Sequence, residues 1–470
     1  MLYSSLTFLF GFLPILLILY FISKNRNIKN AILLIFSLIF YAWGEPKYIL
    51  LMLITVLVVY LFGLLIDKYD KNKQFKKKKI VFVSCLLVVV ANLLFFKYFN
   101  FILDNINYLF SFNIKSLNIV LPIGISFYTF QILSYAIDLY NNKIKVQNNL
   151  FSLALYVAFF PQLIAGPIVR YETVEEEIND RKESFDDMLY GAKRFILGLS
   201  KKVIIANQMA LIADLVYNNY NEFFGTSIIW LGTITYALQI YYDFSGYSDM
   251  AIGLGRIFGF HFLENFDYPY VSKSITEFWR RWHISLSTWF RDYIYIPLGG
   301  NRVSKIKWLR NVFIVWSLTG LWHGASWNFI LWGLFYAVFL IIEKLILNKF
   351  LNKLSSFIRW CYVIIIVLVG WVLFRANSFN DILFFLKNMF IYSETDWLNI
   401  LSNNFYNFSG LIFIIPAVVF SLPIYKKIDL KFKDNLWYTV VSNIVLLMLL
   451  FVCVVFLTSS SYNPFIYFRF

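Results

Sequence analysis

The chain has 470 residues, of which 60% are hydrophobic and 15% charged, and its mean hydropathy is +0.66. This composition excludes a water-soluble protein whose apolar core is wrapped in a polar surface. The net charge of +15 lies in short loops between apolar runs, the pattern of cytoplasmic loops that face anionic lipid, so we expect no nucleic-acid partner.

Uncharged apolar runs occur along the whole chain, and several reach the roughly 20 residues that a transmembrane helix needs. The long runs are 1–23, 48–66, 116–137, 150–169 and 223–242, and shorter candidates cover 31–44, 80–96, 360–374, 410–424 and 436–459. They predict an all-α polytopic membrane protein. The first run has neither a basic start nor a small-residue cleavage site, so we interpret it as a retained helix.

Loop charges predict the orientation of the chain. The loops 24–29, 67–79 and 426–434 are basic, which places them in the cytoplasm and both chain ends outside. The polar stretch 170–194 is predicted to be cytoplasmic as well. No internal repeat is present, which disfavours a transporter built from inverted halves.

The cysteines Cys85, Cys361 and Cys453 all lie in apolar runs and share no motif spacing. They are predicted to be packing residues, and we expect neither a disulfide framework nor a metal site.

Two carboxylates stand at the end of an apolar span in "YYDFSGYSDMAIGLGRIFGF" (241–260), namely Asp243 and Asp249. Carboxylates at this depth can be ion relays. Among serines and glycines, however, they more often bond the backbone or a basic partner, for which Arg256 is a candidate. The glycines favour close helix packing.

The first histidine-bearing block is "SITEFWRRWHISLSTWFRDYIYIPLGGNR" (274–302). Read as one helix, it has an aromatic face of Phe278, Trp282 and Trp289 and a polar face of Arg281, Ser285 and Ser287. This pattern is typical of an interfacial amphipathic helix. The alternative is a basic site for the phosphates of an acyl donor, formed by Arg280, Arg281 and Arg291 with His283 near the chemistry. The "PLGG" sequence is predicted to end the helix.

The second block, "GLWHGASWNFILWG" (320–333), lies in the run Val312–Ile342, which has no charged residue other than a protonated His323. Its flanks are both basic, and it is shorter than the roughly 40 residues that two crossings need. The segment therefore either enters the membrane and returns to the same side, with breaks at Gly320 and Gly324, or is an exception to the rule that basic loops face the cytoplasm. An imidazole here can serve as a general base, and a hydrogen-bonded core histidine explains it equally well.

Together with "LPIGISFYTFQILSYAIDLY" (121–140) and "FFPQLIAGPIVRY" (159–171), these blocks resemble the membrane-bound O-acyltransferase (MBOAT) family, and within it the alginate O-acetyltransferase type. The resemblance implies a ring of roughly 11 or more transmembrane helices with re-entrant or interfacial helices at a thin centre. It implies one domain over 1–470, with N-terminal helices in 1–115, a catalytic core at about 116–345, C-terminal helices in 346–459 and an extracytoplasmic tail, 460–470.

The resemblance also implies residue roles. The family's catalytic histidine corresponds to His323 in "LWHGASWN", and its second functional histidine to His283 in "RRWHISLS". His261 matches neither motif and is interpreted as structural.

The activity implied by the resemblance is transfer of acetyl from cytoplasmic acetyl-CoA, across the cell membrane, toward a polysaccharide hydroxyl outside. No bound cofactor is expected, and the implied partners are the bilayer and a secreted or membrane-anchored Ser-His hydrolase-like acetyltransferase. "IPLGGNR" favours the acetyltransferase subgroup over the alternative, a D-alanyl transferase of the teichoic-acid type. A non-catalytic transporter or flippase leaves the histidine blocks unexplained, and a structural scaffold is a further alternative.

The last block is the tail "YNPFIYFRF" (462–470), in which Asn463-Pro464 is predicted to end the preceding helix. It resembles a C-terminal F-x-Y-x-x-F ending of bacterial family members and of small partners of the D-alanyl transferase. A phenol can carry an acyl group as an ester, so Tyr467 is a candidate acyl relay. Anchoring of the aromatic side chains at the membrane interface is the alternative.

Overall fold

The computed structural model describes residues 1–220, 225–459 and 462–466, and no strand occurs in these three stretches. They divide into two compact units, Met1–Phe195 with Met250–Leu263, and Ile196–Asp249 with Glu264–Phe470. The helices Phe185–Ser200 and Thr226–Ile257 contribute residues to both units. The division into one domain with a core at about 116–345 stays a prediction.

The other helices each belong to one unit. Those of the first unit are Leu13–Ile22, Arg26–Ala42, Tyr48–Lys71, Phe75–Leu93, Phe99–Phe110, Ile125–Tyr140, Leu150–Ala158, Phe160–Leu163 and Tyr171–Asp180. Those of the second unit are Asn207–Asn218, Ile275–Arg281, Ile284–Phe290, Lys305–His323, Trp327–Ile342, Asn348–Leu351, Ser356–Arg375, Phe379–Phe390, Trp397–Asn403, Phe405–Phe408, Ile414–Phe420, Ile424–Phe432 and Leu436–Ser459. Wider π-helical turns cover Thr7–Phe12, Leu94–Tyr98, Lys201–Ala206, Arg291–Tyr295 and Glu343–Leu347.

Within the described residues, six helices are long and apolar enough to cross a membrane, or seven if one pair bent by 100° is a single span. The six are Tyr48–Lys71, Phe75–Phe110, Phe185–Asn218, Trp327–Leu351, Ser356–Arg375 and Leu436–Ser459, and the bent pair is Trp397–Asn403 with Phe405–Phe420. The first apolar run forms the shorter helix Thr7–Ile22. The protein is thus an all-α, multi-pass membrane protein, as predicted.

Two of the expected continuous spans are wrong. Residues 116–124 are not helical, and a helix begins only at Ile125, after Gly124 with a φ of 77°. The run 150–169 breaks after Ala158, and only the four-residue helix Phe160–Leu163 follows. The apolar composition of these runs was interpreted correctly, but their glycine and proline residues interrupt the helical hydrogen bonds.

The first basic loop and the polar stretch 170–194 are in direct contact. Arg26 and Lys29 bind the carboxylate of Glu183 at 2.6 and 3.2 Å. Burial would raise the pKa of Glu183, but hydrogen bonds from Arg26, Tyr20 and Lys29 outweigh it and lower that pKa to about 2. Both stretches therefore lie on one side of the first unit, as the loop charges predict.

Glycines let the helix Thr226–Ile257 pack closely on its neighbours. In the second unit a Cβ on Gly246 would stand 2.7 Å from the carbonyl oxygen of Gly198. In the first unit a Cβ on Gly253 would stand 2.5 Å from the carbonyl oxygen of Gly191. Any larger side chain would push these helices apart, which confirms the role predicted for the small residues.

The segment around His323 is a helical hairpin in the second unit. Gly320 lies against the backbone of Phe329, and Gly333 against that of Trp316, so the helices Lys305–His323 and Trp327–Ile342 run antiparallel. The turn begins at Gly324, where the first helix ends. The chain therefore turns back on itself as one interpretation required, but only Gly324 breaks the helix. Gly320 instead provides the close contact between the two arms.

Candidate active site

His323 is the last residue of its helix, at the tip of the hairpin, and is only 6% exposed. Its imidazole is surrounded edge-on by Trp322, Trp332 and Phe374, with ring centroids 5.0 to 5.1 Å away. The two polar residues after it have structural partners. Ser326 caps the second helix, and the Asn328 amide donates to the carbonyl oxygen of Ala376 at 2.8 Å.

A narrow cavity borders His323. Its lining is otherwise apolar and aromatic: Ile240, Phe244, Trp282, Trp332, Trp371, Phe374 and Ile466. Its volume of about 10 Å³ is close to the minimum for one water molecule. An imidazole in such surroundings is shielded from bulk water, and this favours proton transfer to a bound group over exchange with solvent.

His283 has an unusual backbone conformation. The predicted continuous helix over this block is wrong, because one helix ends at Arg281 and the next begins at Ile284. Between them, His283 adopts a left-handed conformation with φ 44° and ψ 56°. Non-glycine residues rarely occupy this region, and they are concentrated at functional sites. The break turns the imidazole of His283 into the interior, where the residue is 1% exposed.

Hydrogen bonds determine which nitrogen of His283 carries the proton. Oδ1 of Asn265 accepts from the backbone N–H of Ser285, which identifies it as the oxygen of the amide. Nδ1 of His283 lies 3.1 Å from the same acceptor oxygen, which favours the tautomer with the proton on Nδ1. The Asn265 amide nitrogen in turn donates to Ser248 at 3.0 Å. Nε2 of His283 is left unprotonated in the neutral ring, the state that a general base requires.

Nε2 of His283 is buried and has no hydrogen-bond partner among the residues that the structure describes. Such an atom is costly unless something else occupies the position beside it. The ring lies 4.6 Å from Phe244 and 5.7 Å from Trp322, centroid to centroid. Because Phe244 lines the His323 cavity and Trp322 contacts both imidazoles, the structure brings the two predicted histidines to one place.

Comparison with known proteins identifies the family of this chain. The sequence profile of the membrane-bound O-acyltransferase family matches residues 35–386, which include both histidines. The chain belongs to this family. It is a membrane-bound O-acyltransferase.

Several relatives within the family are named for the O-acetylation of alginate or peptidoglycan. The "Probable alginate O-acetylase AlgI" of Pseudomonas putida is 38% identical over the full length of both chains. That of Pseudomonas aeruginosa is 43% identical over 80% of this chain and 72% of the relative. The "Peptidoglycan O-acetyltransferase" of Helicobacter pylori is 35% identical over 83% of this chain and 80% of the relative.

The three arginines predicted near the donor of this O-acyltransferase differ in their charge environment. Arg281 is bound by Asp267 and Glu277, each at 3.0 Å. Arg291 pairs with the adjacent Asp292 at 2.6 Å, while Arg280 is exposed. The charges of Arg281 and Arg291 are thus already partly neutralised, which leaves Arg280 as the strongest candidate of the three for a phosphate contact.

The predicted partners of the aspartates in this family member need correction. Arg256 binds Asp187 at 2.8 Å. Asp243 pairs with Lys202 at 2.7 Å, and Asp249 with Lys201 at 2.6 Å. The general expectation of a basic partner is confirmed, but the residue was misassigned.

His261 does not take part in this site. It lies in the first unit, where its Nδ1 is 2.6 Å from a carboxylate oxygen of Glu177 and its backbone N–H donates to the other oxygen at 3.1 Å. These contacts with Glu177 give His261 a place in the packing of the first unit, in line with the structural role predicted for it. No group of three or more metal-ligating side chains occurs in the described part of this O-acyltransferase.

Sequence reasoning missed Asn265 and Lys202. Asn265 is fully buried in the stretch "ENFDYPY", where a polar residue between Glu264 and Phe266 gives no signal of a buried role. Lys202 follows Lys201 in the sequence and looks like one of many loop lysines. Tyr467, the candidate relay, lies outside the described residues, but the tail up to Ile466 reaches the lining of the His323 cavity.

Proposed function

We propose that this O-acyltransferase moves an acetyl group from cytoplasmic acetyl-CoA across the cell membrane, for O-acetylation of an extracytoplasmic polysaccharide. The observation that carries the proposal is that Ile466 of the C-terminal segment lines the His323 cavity, while His283 contacts Phe244 of the same lining and Trp322 beside His323. The names of its relatives support acetyl as the group and a polysaccharide as the acceptor. A ring of roughly 11 or more helices around a thin centre is part of the proposal, since it would shorten the path between the two sides.

His323 acts as the general base. In the first step it removes the proton from an attacking hydroxyl, which then adds to the thioester carbonyl of the donor. A new C–O bond forms, the C–S bond breaks, and the proton passes from the imidazole to the leaving thiolate. The aromatic rings around His323 exclude water, which would otherwise hydrolyse the thioester.

His283 binds the reacting groups from its place beside Trp322. With its Nδ1 proton held by Asn265, its Nε2 can accept a hydrogen bond from another donor group of the bound substrate, since the single proton of the attacking hydroxyl goes to His323. Arg280, with Arg281 and Arg291, contributes positive charge for the phosphates of the donor. All of these roles rest on the family resemblance and on the positions of the side chains.

Tyr467 carries the acyl group between the two steps. Ile466, the residue that precedes Tyr467 in the sequence, lines the His323 cavity. Its phenol attacks the thioester and becomes an acetyl ester, releasing the thiol. A hydroxyl of the next acceptor then attacks this ester, and the phenol oxygen takes back the proton. That acceptor is the Ser-His hydrolase-like partner or the polysaccharide itself.

The donor test uses the purified protein in liposomes. Supplied with acetyl-CoA and polysaccharide extracted from the producing cells, it is expected to release free thiol and to acetylate the polysaccharide, either alone or once the Ser-His hydrolase-like partner is added. A D-alanyl transferase would leave acetyl-CoA intact and consume a D-alanyl thioester instead. A transporter would consume neither donor, and either result would contradict the proposal.

Replacing Tyr467 by phenylalanine is expected to reduce acetylation at least roughly 100-fold, because it removes the oxygen that forms the ester and keeps the ring. Mass spectrometry of the wild-type tail after incubation with acetyl-CoA should find one acetyl group on Tyr467. The matched control is Tyr462→Phe, which removes a hydroxyl from the same tail and should keep most of the activity. Normal acetylation by Tyr467→Phe would exclude the relay and leave the interface anchor.

A further inference from the structure

The second unit contains an ion pair that is almost completely buried. Nζ of Lys202 lies 2.7 Å from Oδ1 of Asp243, and the two side chains are 3% and 2% exposed. Taking two charges out of water is costly, and their mutual attraction repays this only if further hydrogen bonds satisfy the remaining atoms. The mechanism above uses neither residue, so the pair needs another explanation.

The further hydrogen bonds of the pair go to the C-terminal segment. Oδ2 of Asp243 accepts from the backbone N–H of Ile466 at 2.8 Å. Nζ of Lys202 donates to the backbone carbonyl oxygen of Pro464, and its charge also lies 5.8 Å from the centre of the Phe465 ring. One ion pair thus supplies an acceptor for a backbone N–H and a donor for a backbone C=O of the same short segment.

The segment requires such partners because of where it lies. Phe465 and Ile466 are each only 5% exposed, and Phe465 packs against Tyr247 with ring centroids 5.0 Å apart. A peptide without regular secondary structure cannot be buried among apolar side chains unless its N–H and C=O groups are bonded. Charged partners make the strongest of these bonds.

The Lys202–Asp243 pair is not explained by a need to attach its two helical segments to each other. Lys201 and Asp249, which lie on the same two helical segments, form a second ion pair at 2.6 Å and are 31% and 14% exposed. This pair already links the segments without complete burial. What distinguishes Lys202 and Asp243 is their contact with the tail backbone.

We propose that the Lys202–Asp243 pair is a docking site for the chain's own C-terminal segment, recognised through the backbone of Pro464 and Ile466. The pair positions Ile466 at the His323 cavity. Lys202 and Asp243 are positioning residues, and neither takes part in the making or breaking of covalent bonds. The effect of the pair on acyl transfer rests on the proposed relay, whereas docking itself does not.

Docking is tested by maleimide labelling of Ile466→Cys in the full-length, detergent-purified protein, with Cys85, Cys361 and Cys453 replaced by alanine. With the ion pair intact, the thiol should react slowly. The double variant Lys202→Met/Asp243→Leu removes both charges together and so avoids a lone buried charge. Labelling is expected to accelerate on the order of tenfold or more, because two charge-assisted hydrogen bonds to the tail are lost.

The matched control is Lys78→Met/Asp70→Leu, which removes a 2.6 Å Lys–Asp pair of the first unit and should leave the labelling rate unchanged. An unchanged rate in Lys202→Met/Asp243→Leu would overturn the docking proposal, even if thermal stability fell. If the tail becomes accessible while acetyl transfer stays normal, docking stands and the relay is wrong. If both change, both proposals stand.

A second variant changes a residue of the C-terminal segment and leaves the Lys202–Asp243 ion pair intact. Ile466→Pro removes the N–H that Asp243 accepts. Combined with Phe465→Cys, it should raise the labelling rate at position 465 above that of Phe465→Cys alone. This comparison remains decisive if the double variant yields no folded protein, and equal rates would contradict the proposal.

Discussion

Replacing His323 by glutamine is expected to lower acetyl transfer by about 10²- to 10⁴-fold, the contribution of a general base. Glutamine keeps a polar side chain of similar length among Trp322, Trp332 and Phe374 but cannot take up a proton at neutral pH. The protein should therefore extract and elute as the wild type does. The measurement is thiol release from acetyl-CoA by equal amounts of purified protein.

The matched control for this experiment is His261→Gln, in the histidine that binds Glu177 in the first unit. It should retain most of the activity, since His261 is not part of the cavity. Retention of most of the activity by His323→Gln would remove His323 from the catalytic role. Loss of activity in both variants would point to a general sensitivity of the fold.

Replacing His283 by asparagine is expected to cause the second large loss, also by roughly 100-fold or more. Asparagine tolerates the left-handed backbone that His283 adopts, with φ 44°, so the chain can keep its break between the two helices. The substitution nevertheless removes the imidazole Nε2. Activity should be compared at equal amounts of purified protein, because a decrease in abundance alone would make the role structural.

The companion variants concern Asn265, which we expect to position His283. Asn265→Leu removes the acceptor for Nδ1 of His283 and for the Ser285 N–H. Leaving such a buried donor unsatisfied lowers the free energy of unfolding by about 1–3 kcal/mol. The His283 ring is then no longer held in the tautomer with the proton on Nδ1. Asn265→Asp keeps an acceptor at the same place and should rescue activity. A stability effect without this rescue would mean that Asn265 acts only in packing.

Much of the fold and of the candidate site could be predicted from local sequence. The apolar runs, the break at Gly324 and the glycines of the helix Thr226–Ile257 depend on residue type and spacing over a few turns. His323 stood out because an ionisable side chain in an uncharged run is rare. The family motifs around His283 and His323 are also contiguous, so they could be found without coordinates.

The errors have a common cause. A continuous helix from residue 274 to the "PLGG" sequence fits the spacing of aromatic residues, but the buried amide of Asn265 bonds the chain at His283 and Ser285 and interrupts it. Arg256 was the nearest basic residue in sequence to the two aspartates, yet Asp187 binds it. Local spacing cannot predict such pairings, because the partners are distant in sequence.

By itself the sequence determined that the chain lies in the membrane, that it belongs to an acyltransferase family and which histidines are candidates for chemistry. The tertiary structure decided that both histidines contact Trp322, that Asn265 selects the tautomer of His283, and that Lys202 and Asp243 hold the tail. Hydrophobicity and motifs are properties of contiguous residues, whereas hydrogen bonds and ion pairs between distant residues exist only after the helices pack.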